Sequence, residues 1–239
     1  MNILVTGGSS GLGRAIVEKL SESHENVVLF TYCCNQESAN SLLEKYPNDR
    51  AFQVDFCNED SIGKFVKDLE AMQVDVLVNN AYAGTAQGAR VHQTDISEYT
   101  TAFKNNVIPL INVTQTCIKG MRKRKFGKII NIITSSVIDT PPIGYSVYAS
   151  TKAYIRQFSK SISKEYASFN ITSNCVLPDY MTTDFSILDE YQLGKMMETH
   201  PLKKLLTPEE VASIVVYMLN ASQQLNGVEI PINAGQHIV

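Results

Sequence analysis

The sequence has little of what would mark several common classes of protein. No apolar run approaches the roughly 20 residues needed to cross a bilayer, which argues against a membrane-spanning helix. There is no basic excess. Lys and Arg number 21 against 24 Asp and Glu, a net charge of −3, so nothing electrostatic points to nucleic acid or an anionic membrane surface as partner. Cys33, Cys34, Cys57, Cys117 and Cys175 are odd in number and lack paired metal-ligand spacing. Neither a disulfide framework nor a zinc site is expected from them, and a reducing cytoplasm is. The first seven residues carry no basic segment and no small-residue cleavage site, so no signal peptide is expected. Repeats, low-complexity stretches and Pro/Gly/Ser-rich linkers are also missing, and one domain spanning 1–239 is expected.

What is present is a set of short, β-branched runs bounded by turn residues, at 3–5, 27–30, 52–54, 74–78, 128–133, 171–176 and 228–230. Near-continuous apolar runs predict strands buried on both faces, as in a parallel sheet. Helical spacing fills the intervals between them. Leu12, Ile16 and Leu20 share a face; Ile62, Phe65, Val66 and Leu69 follow a cap expected at Asp60 or Ser61. A third helix is expected over about 146–167. A fourth starts at Thr207-Pro208-Glu209-Glu210, a cap with proline in the first turn. Alternation of strand and helix throughout predicts a doubly wound α/β fold.

The first run leads straight into Thr6-Gly7-Gly8-Ser9-Ser10-Gly11-Leu12-Gly13 and then a helix. Glycine is needed where a chain turns sharply and its backbone must approach a pyrophosphate, which the helix N-terminus then attracts. A phosphate-binding NTPase loop is excluded, because Arg14-Ala15 stands where that loop requires Lys followed by Ser or Thr. The spacing Gly7-x3-Gly11-x-Gly13 also differs from the usual dinucleotide fingerprint.

Thr-Gly-x3-Gly-x-Gly resembles the cofactor motif of the short-chain dehydrogenases/reductases, and the resemblance extends over essentially the whole chain. It implies a single-domain Rossmann fold, with a doubly wound parallel sheet of about seven strands and helices on both faces. It further implies cofactor contacts at Gly7, Ser9, Ser10, Gly11, Leu12 and Gly13. Asn79-Asn80-Ala81-Tyr82-Ala83-Gly84 resembles the family's Asn-Asn-Ala-Gly with two residues inserted before the glycine, implying that Asn80 and Ala81 line the cofactor; an ordinary strand-ending turn would read the same. Leu225-Asn226-Gly227 and Asn233-Ala234-Gly235 resemble the family's terminal motifs in degraded form.

Tyr148 and Lys152 lie four residues apart, on one face of the expected third helix. The spacing alone decides nothing, since Tyr191 and Lys195 share it. Context separates them: Tyr148 follows a long buried run and has Ser135 thirteen residues upstream, whereas Pro178 stands thirteen before Tyr191. Ser135, Tyr148 and Lys152 resemble the family's Ser…Tyr-x3-Lys arrangement. A free phenol has a pKa near 10, too high for efficient proton exchange at neutral pH, and an ammonium one helical turn away is expected to lower it. A serine hydroxyl would hold the carbonyl oxygen while hydride moves to or from the nicotinamide. Counting forward from Gly127 by the family's spacing lands instead on Thr134, so one extra residue and a bulge are expected near Ile133-Thr134. Ser135 is preferred; Thr134 and Ser136 stay as alternatives. Asn106 matches the family's helix asparagine, which positions the lysine through a bound water, with Asn105 the adjacent competitor.

An acidic residue ending the second strand would select NAD by gripping the ribose 2′-OH. Phe30-Thr31-Tyr32-Cys33-Cys34-Asn35 contains none, so NADP(H) is favoured over NAD(H), with Arg14 as a nearby source of positive charge. Asp55 resembles the family's adenine-contacting aspartate, or else caps the next helix. Pro178-Asp179-Tyr180-Met181-Thr182-Thr183 resembles Pro-Gly-x3-Thr with Asp179 replacing the glycine, and implies that Pro178, Met181 and Thr183 flank the nicotinamide. Residues 180–206, with Phe185, Ile187, Leu188, Tyr191, Leu193, Met196 and Met197, read either as an apolar substrate lid or as a helical hairpin packed on the core. Arg122-Lys123-Arg124-Lys125 falls at an expected helix C-terminus, where the dipole favours cations. By resemblance to the 3-oxoacyl-carrier-protein reductases, the nearest subgroup, it is also a candidate contact for an acidic acyl carrier protein. His24, His92, His200 and His237 fall in no motif.

The expected activity is NAD(P)H-dependent hydride transfer between nicotinamide and a ketone or secondary alcohol, with a 3-oxoacyl thioester as the first candidate substrate. Alternatives are a sugar, polyol or steroid-type ketone, or a non-catalytic dinucleotide-binding regulator. No metal is expected. The family's habit implies a homo-oligomer, tetramer or dimer, formed through helices near 95–120 and 146–167.

Overall fold

The computed structural model of the chain describes residues 1–183 and 190–236. Phe185, Ile187, Leu188 and His237, singled out above, lie outside them. The seven expected runs form strands β1 (Asn2–Val5), β2 (Val27–Tyr32), β3 (Arg50–Gln53), β4 (Val76–Asn79), β5 (Gly127–Ile132), β6 (Ile171–Pro178) and β7 (Glu229–Ile232). All pair in parallel, in the order β3-β2-β1-β4-β5-β6-β7. The chain therefore builds outward from β1 to β3, then returns to lay β4 on the other side of β1. That reversal leaves a crevice at the carboxyl ends of β1 and β4, the position where such sheets bind ligands.

Helices α1 (Gly11–Ser21), α2 (Gln36–Lys45), α3 (Glu59–Glu70), α4 (Ile96–Arg124), α5 (Ser146–Glu165), α6 (Glu190–Thr199) and α7 (Pro208–Asn220) fill the connections. Alternate strand residues serve opposite faces. Ile3, Val5, Val76, Val78, Ile130 and Ile132 pack against Ile16, Val17 and Leu20 of α1, Leu42 of α2 and Val211 and Val215 of α7. Leu4, Leu77 and Ile129 pack against Phe65 and Leu69 of α3, Val113, Cys117 and Met121 of α4 and Ile162 of α5. This explains the near-continuous apolar runs, since both faces of the sheet are covered.

Local details depart from the sequence reading in three places. The cap of α3 is Asn58, whose side chain accepts from Ser61 N at 3.0 Å, two residues before the expected cap Asp60 and three before Ser61. Helix α2, capped by Asn35, was not anticipated; its only buried side chains are Ala39 and Leu42, too few to stand out as a period. No bulge occurs near Ile133. The β5–β6 register runs without a break from Gly127↔Ile171 to Ile132↔Val176, and the extra residue is taken up by a 3-10 turn over Ser135–Val137. The cap expected at Thr207 and the proline in the first turn of α7 are present, and Thr207 and Glu210 further form a reciprocal capping box.

Candidate active site

The turn after β1 shows why glycine is required there. Gly7 has φ 67, and a Cβ on Gly13 would fall 1.9 Å from the Gly7 carbonyl oxygen and 2.6 Å from Asn80 Nδ2. The turn is clamped from β4. Thr6 Oγ1 accepts from Asn80 N and Ala81 N at 3.0 and 3.1 Å, while Asn80 Nδ2 donates to the Thr6 and Gly7 carbonyls at 3.0 and 3.1 Å. Asn80 thus shapes the cradle as well as lining the cleft. Helix α1 has no capping side chain at Ser10 and no acidic residue in its first turn, unlike α2, α3, α4 and α7. Its N-terminal N–H groups and positive dipole end are left for an anion, which fits a cofactor pyrophosphate.

From this turn a cleft of about 630 Å³ runs across the carboxyl ends of the strands. Gly7, Ser9, Ser10, Gly11, Leu12, Gly13, Asp55, Asn80, Ala81, Asn106, Tyr148, Lys152, Pro178, Met181 and Thr183 all line it, so residues far apart in sequence meet in one cleft. Tyr32, Cys33, Cys34 and Asn35 close its outer end without a charged side chain. Asp55 does not cap α3; its carboxylate accepts from Cys57 N at 2.8 Å. Arg14 is not part of the lining. Its guanidinium is engaged by Glu18 at 3.1 Å and by the hydroxyls of Ser38 and Ser41 at 2.9 and 3.2 Å, so the expected free positive charge near the cofactor is already committed.

The inner end of the cleft holds Tyr148 and Lys152, both buried on α5. The preferred serine does not join them. Ser135 is buried and absent from the lining, and its hydroxyl donates to Asp179 Oδ1 at 3.0 Å. Thr134 and Ser136 line the cleft instead, and the Thr134 side chain hydrogen-bonds the Tyr148 phenol. Thr134, two residues past β5, is extended (φ −167), whereas Ser135 opens the 3-10 turn, and the change of backbone direction sends consecutive hydroxyls to different sides. Two of the departures from the family pattern, the extra residue and Asp179, therefore meet in one hydrogen bond. Asp179 N also donates to Ile232 O at 3.0 Å, continuing the β6–β7 pairing past Pro178, so the lost glycine does not break the backbone there.

Electrostatics here differ from expectation. Burial pushes the Tyr148 phenol well above its ordinary value, helped by the neighbouring Tyr82 and Tyr145 and opposed by the Thr134 hydrogen bond. The expected lowering by Lys152 is not what dominates, because burial also pushes that ammonium down, to about 8. Lys152 Nζ donates to Ile132 O at 2.9 Å and lies 5.8 Å from the Tyr148 ring centroid. A phenol so placed is protonated at neutral pH. Asn106 is buried beside the cleft, but its amide grips backbone. Oδ1 accepts from Ala83 N at 2.6 Å, and Nδ2 donates to Ala83 O and Ala102 O at 3.1 and 3.0 Å. Two aromatic residues escaped the sequence reading as part of the site. Tyr145 meets Tyr148 edge-on at 6.1 Å, and Tyr82 does so at 5.1 Å. The signal for Tyr145 was its i, i+3 spacing from Tyr148.

The basic run ends α4, as the dipole argument expected, with Arg124 donating to Val74 O and pairing with Asp75 at 3.6 Å. It precedes β5, so it lies at the amino end of the sheet, opposite the cleft. His200, buried, accepts from Leu202 N through Nδ1 at 3.1 Å. No group of three or more potential metal ligands occurs among the described residues.

An anion cradle and a buried tyrosine–lysine pair facing it across one cleft is the working arrangement of a nicotinamide-dependent oxidoreductase. The chain belongs to the short-chain dehydrogenase family, whose family model, "short chain dehydrogenase", matches residues 1–191. It is 31% identical to 3-oxoacyl-[acyl-carrier-protein] reductase FabG of Aquifex aeolicus, over 97% of this chain and 95% of that protein. It is also 31% identical to the acetoacetyl-CoA reductase of Cupriavidus necator, over 98% and 97%. A solved short chain dehydrogenase/reductase family protein superposes with a TM-score of 0.87 at 26% identity, covering 100% of this chain and 98% of the other. The fold is likewise that of YwfH, an NADPH dependent reductase, at TM-score 0.88 and 22% identity, with 100% and 98% covered. The protein is an enzyme acting on a carbonyl or its alcohol with NAD(P).

Proposed function

We propose that this enzyme reduces the ketone of a 3-oxoacyl thioester with NADPH, using Tyr148 as proton donor. The observation that carries the reading is the meeting of Thr134, Tyr148 and Lys152 at the end of the cleft away from the glycine cradle. The bound nicotinamide would supply the hydride. Thr134, in place of Ser135, would hold the ketone oxygen beside the phenol, and Tyr148 would deliver its proton to that oxygen as negative charge develops. Lys152 would supply positive charge behind the phenol and hold the nicotinamide ribose. The absence of a carboxylate at Tyr32–Asn35 supports NADPH over NADH.

Thioester substrates are supported by the names of the relatives that match nearly the whole chain, and by the apolar walls at Pro142, Tyr145, Met181 and Met196. Residues 180–206 serve as the lid in this reading. Met181 bridges to Leu206, tying the ends of the segment together, and Met196 of α6 faces the cleft. The basic run would meet an acyl carrier protein only from the far side of the sheet, so a carrier serving this cleft would have to dock elsewhere on the chain or on a second copy. Exposed Phe103, Ile108 and Tyr154 on α4 and α5, with the Phe103 and Tyr154 rings 5.1 Å apart, support a homo-oligomer through these helices. No helix among the described residues is long and apolar enough to cross a membrane, and five free thiols suit a reducing cytoplasm.

The test is NADPH oxidation with acetoacetyl-CoA, longer 3-oxoacyl thioesters, and a panel of sugar, polyol and steroid ketones. Turnover confined to the thioesters and abolished in Tyr148→Phe is the expected result. Activity surviving in Tyr148→Phe would refute the mechanism, and cofactor binding without turnover on any substrate would favour a regulator. Light scattering should return a dimer or tetramer; a monomer would refute the oligomer.

A further inference from the structure

Tyr82 and Ala83 are the two residues inserted before Gly84, and they put an aromatic ring where the motif Asn-Asn-Ala-Gly has none. That ring is held at both ends. Its backbone is fixed by Asn106, which takes both the N–H and the carbonyl of the adjoining Ala83 at 2.6 and 3.1 Å. Its hydroxyl is hydrogen-bonded to the side chain of Thr151, the residue before Lys152. Between these anchors the ring centroid lies 5.0 Å from Lys152 Nζ, and the ring meets Tyr148 edge-on, at an interplanar angle of 79°.

We infer that Tyr82 is a positioning residue for the reaction, whose ring face holds the Lys152 ammonium charged and in place beside Tyr148. The physical reason is the scarcity of other support. Lys152 is buried, and Ile132 O is its one hydrogen-bond acceptor among the described contacts. Titratable groups facing it are Tyr82 from the loop after β4, Tyr148 on its own helix and Cys175 on β6; none carries charge at neutral pH. With no carboxylate partner, the negative face of an aromatic ring is what offsets the lost hydration of the ammonium. The same arrangement gives Asn106 a route to the lysine through protein: it fixes Ala83, Ala83 fixes Tyr82, and Tyr82 faces Lys152.

The inference rests on the proposed roles of Tyr148 and Lys152, so its test uses a readout that needs no turnover. Protein labelled with 13C at lysine Cε is titrated by NMR, with the Lys152 signal assigned from its loss in Lys152→Met. Tyr82→Phe, which keeps the ring, should titrate with the wild type. Tyr82→Leu and Tyr82→Met, two aliphatic replacements in case one fails to fold, should lower the midpoint by about one pH unit. The alkaline limb of kcat for ketone reduction should move down with it. An unchanged midpoint in the aliphatic variants would overturn the inference, as would an equal fall in Tyr82→Phe, which would assign the effect to the hydroxyl. A lowered midpoint in an enzyme that reduces no ketone would leave the ammonium contact standing and overturn only the reductase reading.

Discussion

Replacing Lys152 by Met should make the protein more stable and catalytically dead, and the gain in stability should disappear at high pH. Burial lowers the ammonium from its ordinary value of 10.5 to about 8. At 1.36 kcal/mol per unit, holding the charged form in the fold costs about 3 kcal/mol at neutral pH. Met fills a similar volume without that cost. It also leaves the buried Ile132 carbonyl without its 2.9 Å donor, a loss of about 1 to 2 kcal/mol. The expected net gain at pH 7 is therefore about 1 to 2 kcal/mol. Its sign with pH follows from proton linkage. Between pH 8 and 10.5 the unfolded wild type binds more protons at this lysine than the folded form does, so wild-type stability rises with pH relative to the variant. The cost is fully present below the folded pKa and relieved as pH climbs through that window. Urea unfolding of both proteins at pH 7 and pH 10 measures this directly, and other titrating groups cancel in the difference. The variant should lead at pH 7 and be level or behind at pH 10. A variant destabilised equally at both values would refute the claim that the lysine is held against its own desolvation.

Thr134→Val should lower kcat for ketone reduction about 10²-fold or more while leaving NADPH affinity within a few-fold, with Thr134→Ser recovering most of the rate. Ser135→Ala should cost far less, since that hydroxyl serves Asp179; the reverse ranking in steady-state kinetics would return the role to Ser135. Gly13→Ala should weaken NADPH binding at least 10-fold, because the new Cβ would meet the Gly7 carbonyl at 1.9 Å and force the cradle apart. Fluorescence titration with NADPH showing wild-type affinity would contradict that account.

Much of the architecture could be read before any coordinates, for identifiable reasons. Both faces of the sheet are covered, so β1 and β4 appear as near-continuous apolar runs, and the glycine spacing marks the turn after the first of them. Helices with a wide apolar stripe, such as α1, were legible too. Helix α2, which buries only Ala39 and Leu42, was not. That the phenol and ammonium share one helical turn followed from the four-residue spacing, and the buried run and Ser135 before Tyr148 separated that pair from Tyr191 and Lys195.

What sequence could not decide was direction and environment. Counting residues back from Tyr148 pointed to Ser135, but a 3-10 turn aims that hydroxyl at Asp179 and leaves Thr134 with the phenol. A lysine one turn from a tyrosine suggested a lowered phenol pKa. The fold buries both, and desolvation, which depends on everything packed around a group, dominates the neighbour effect. The insertion of Tyr82 was visible as two extra letters, yet its contact with Lys152 exists only because β4, α4 and α5 converge there. The sequence by itself determined the fold class, the glycine turn after β1 and the pairing of Tyr148 with Lys152 on one helix. Tertiary structure decided which hydroxyl reaches the phenol and how strongly each group holds its proton, because those depend on distances across the fold rather than along the chain.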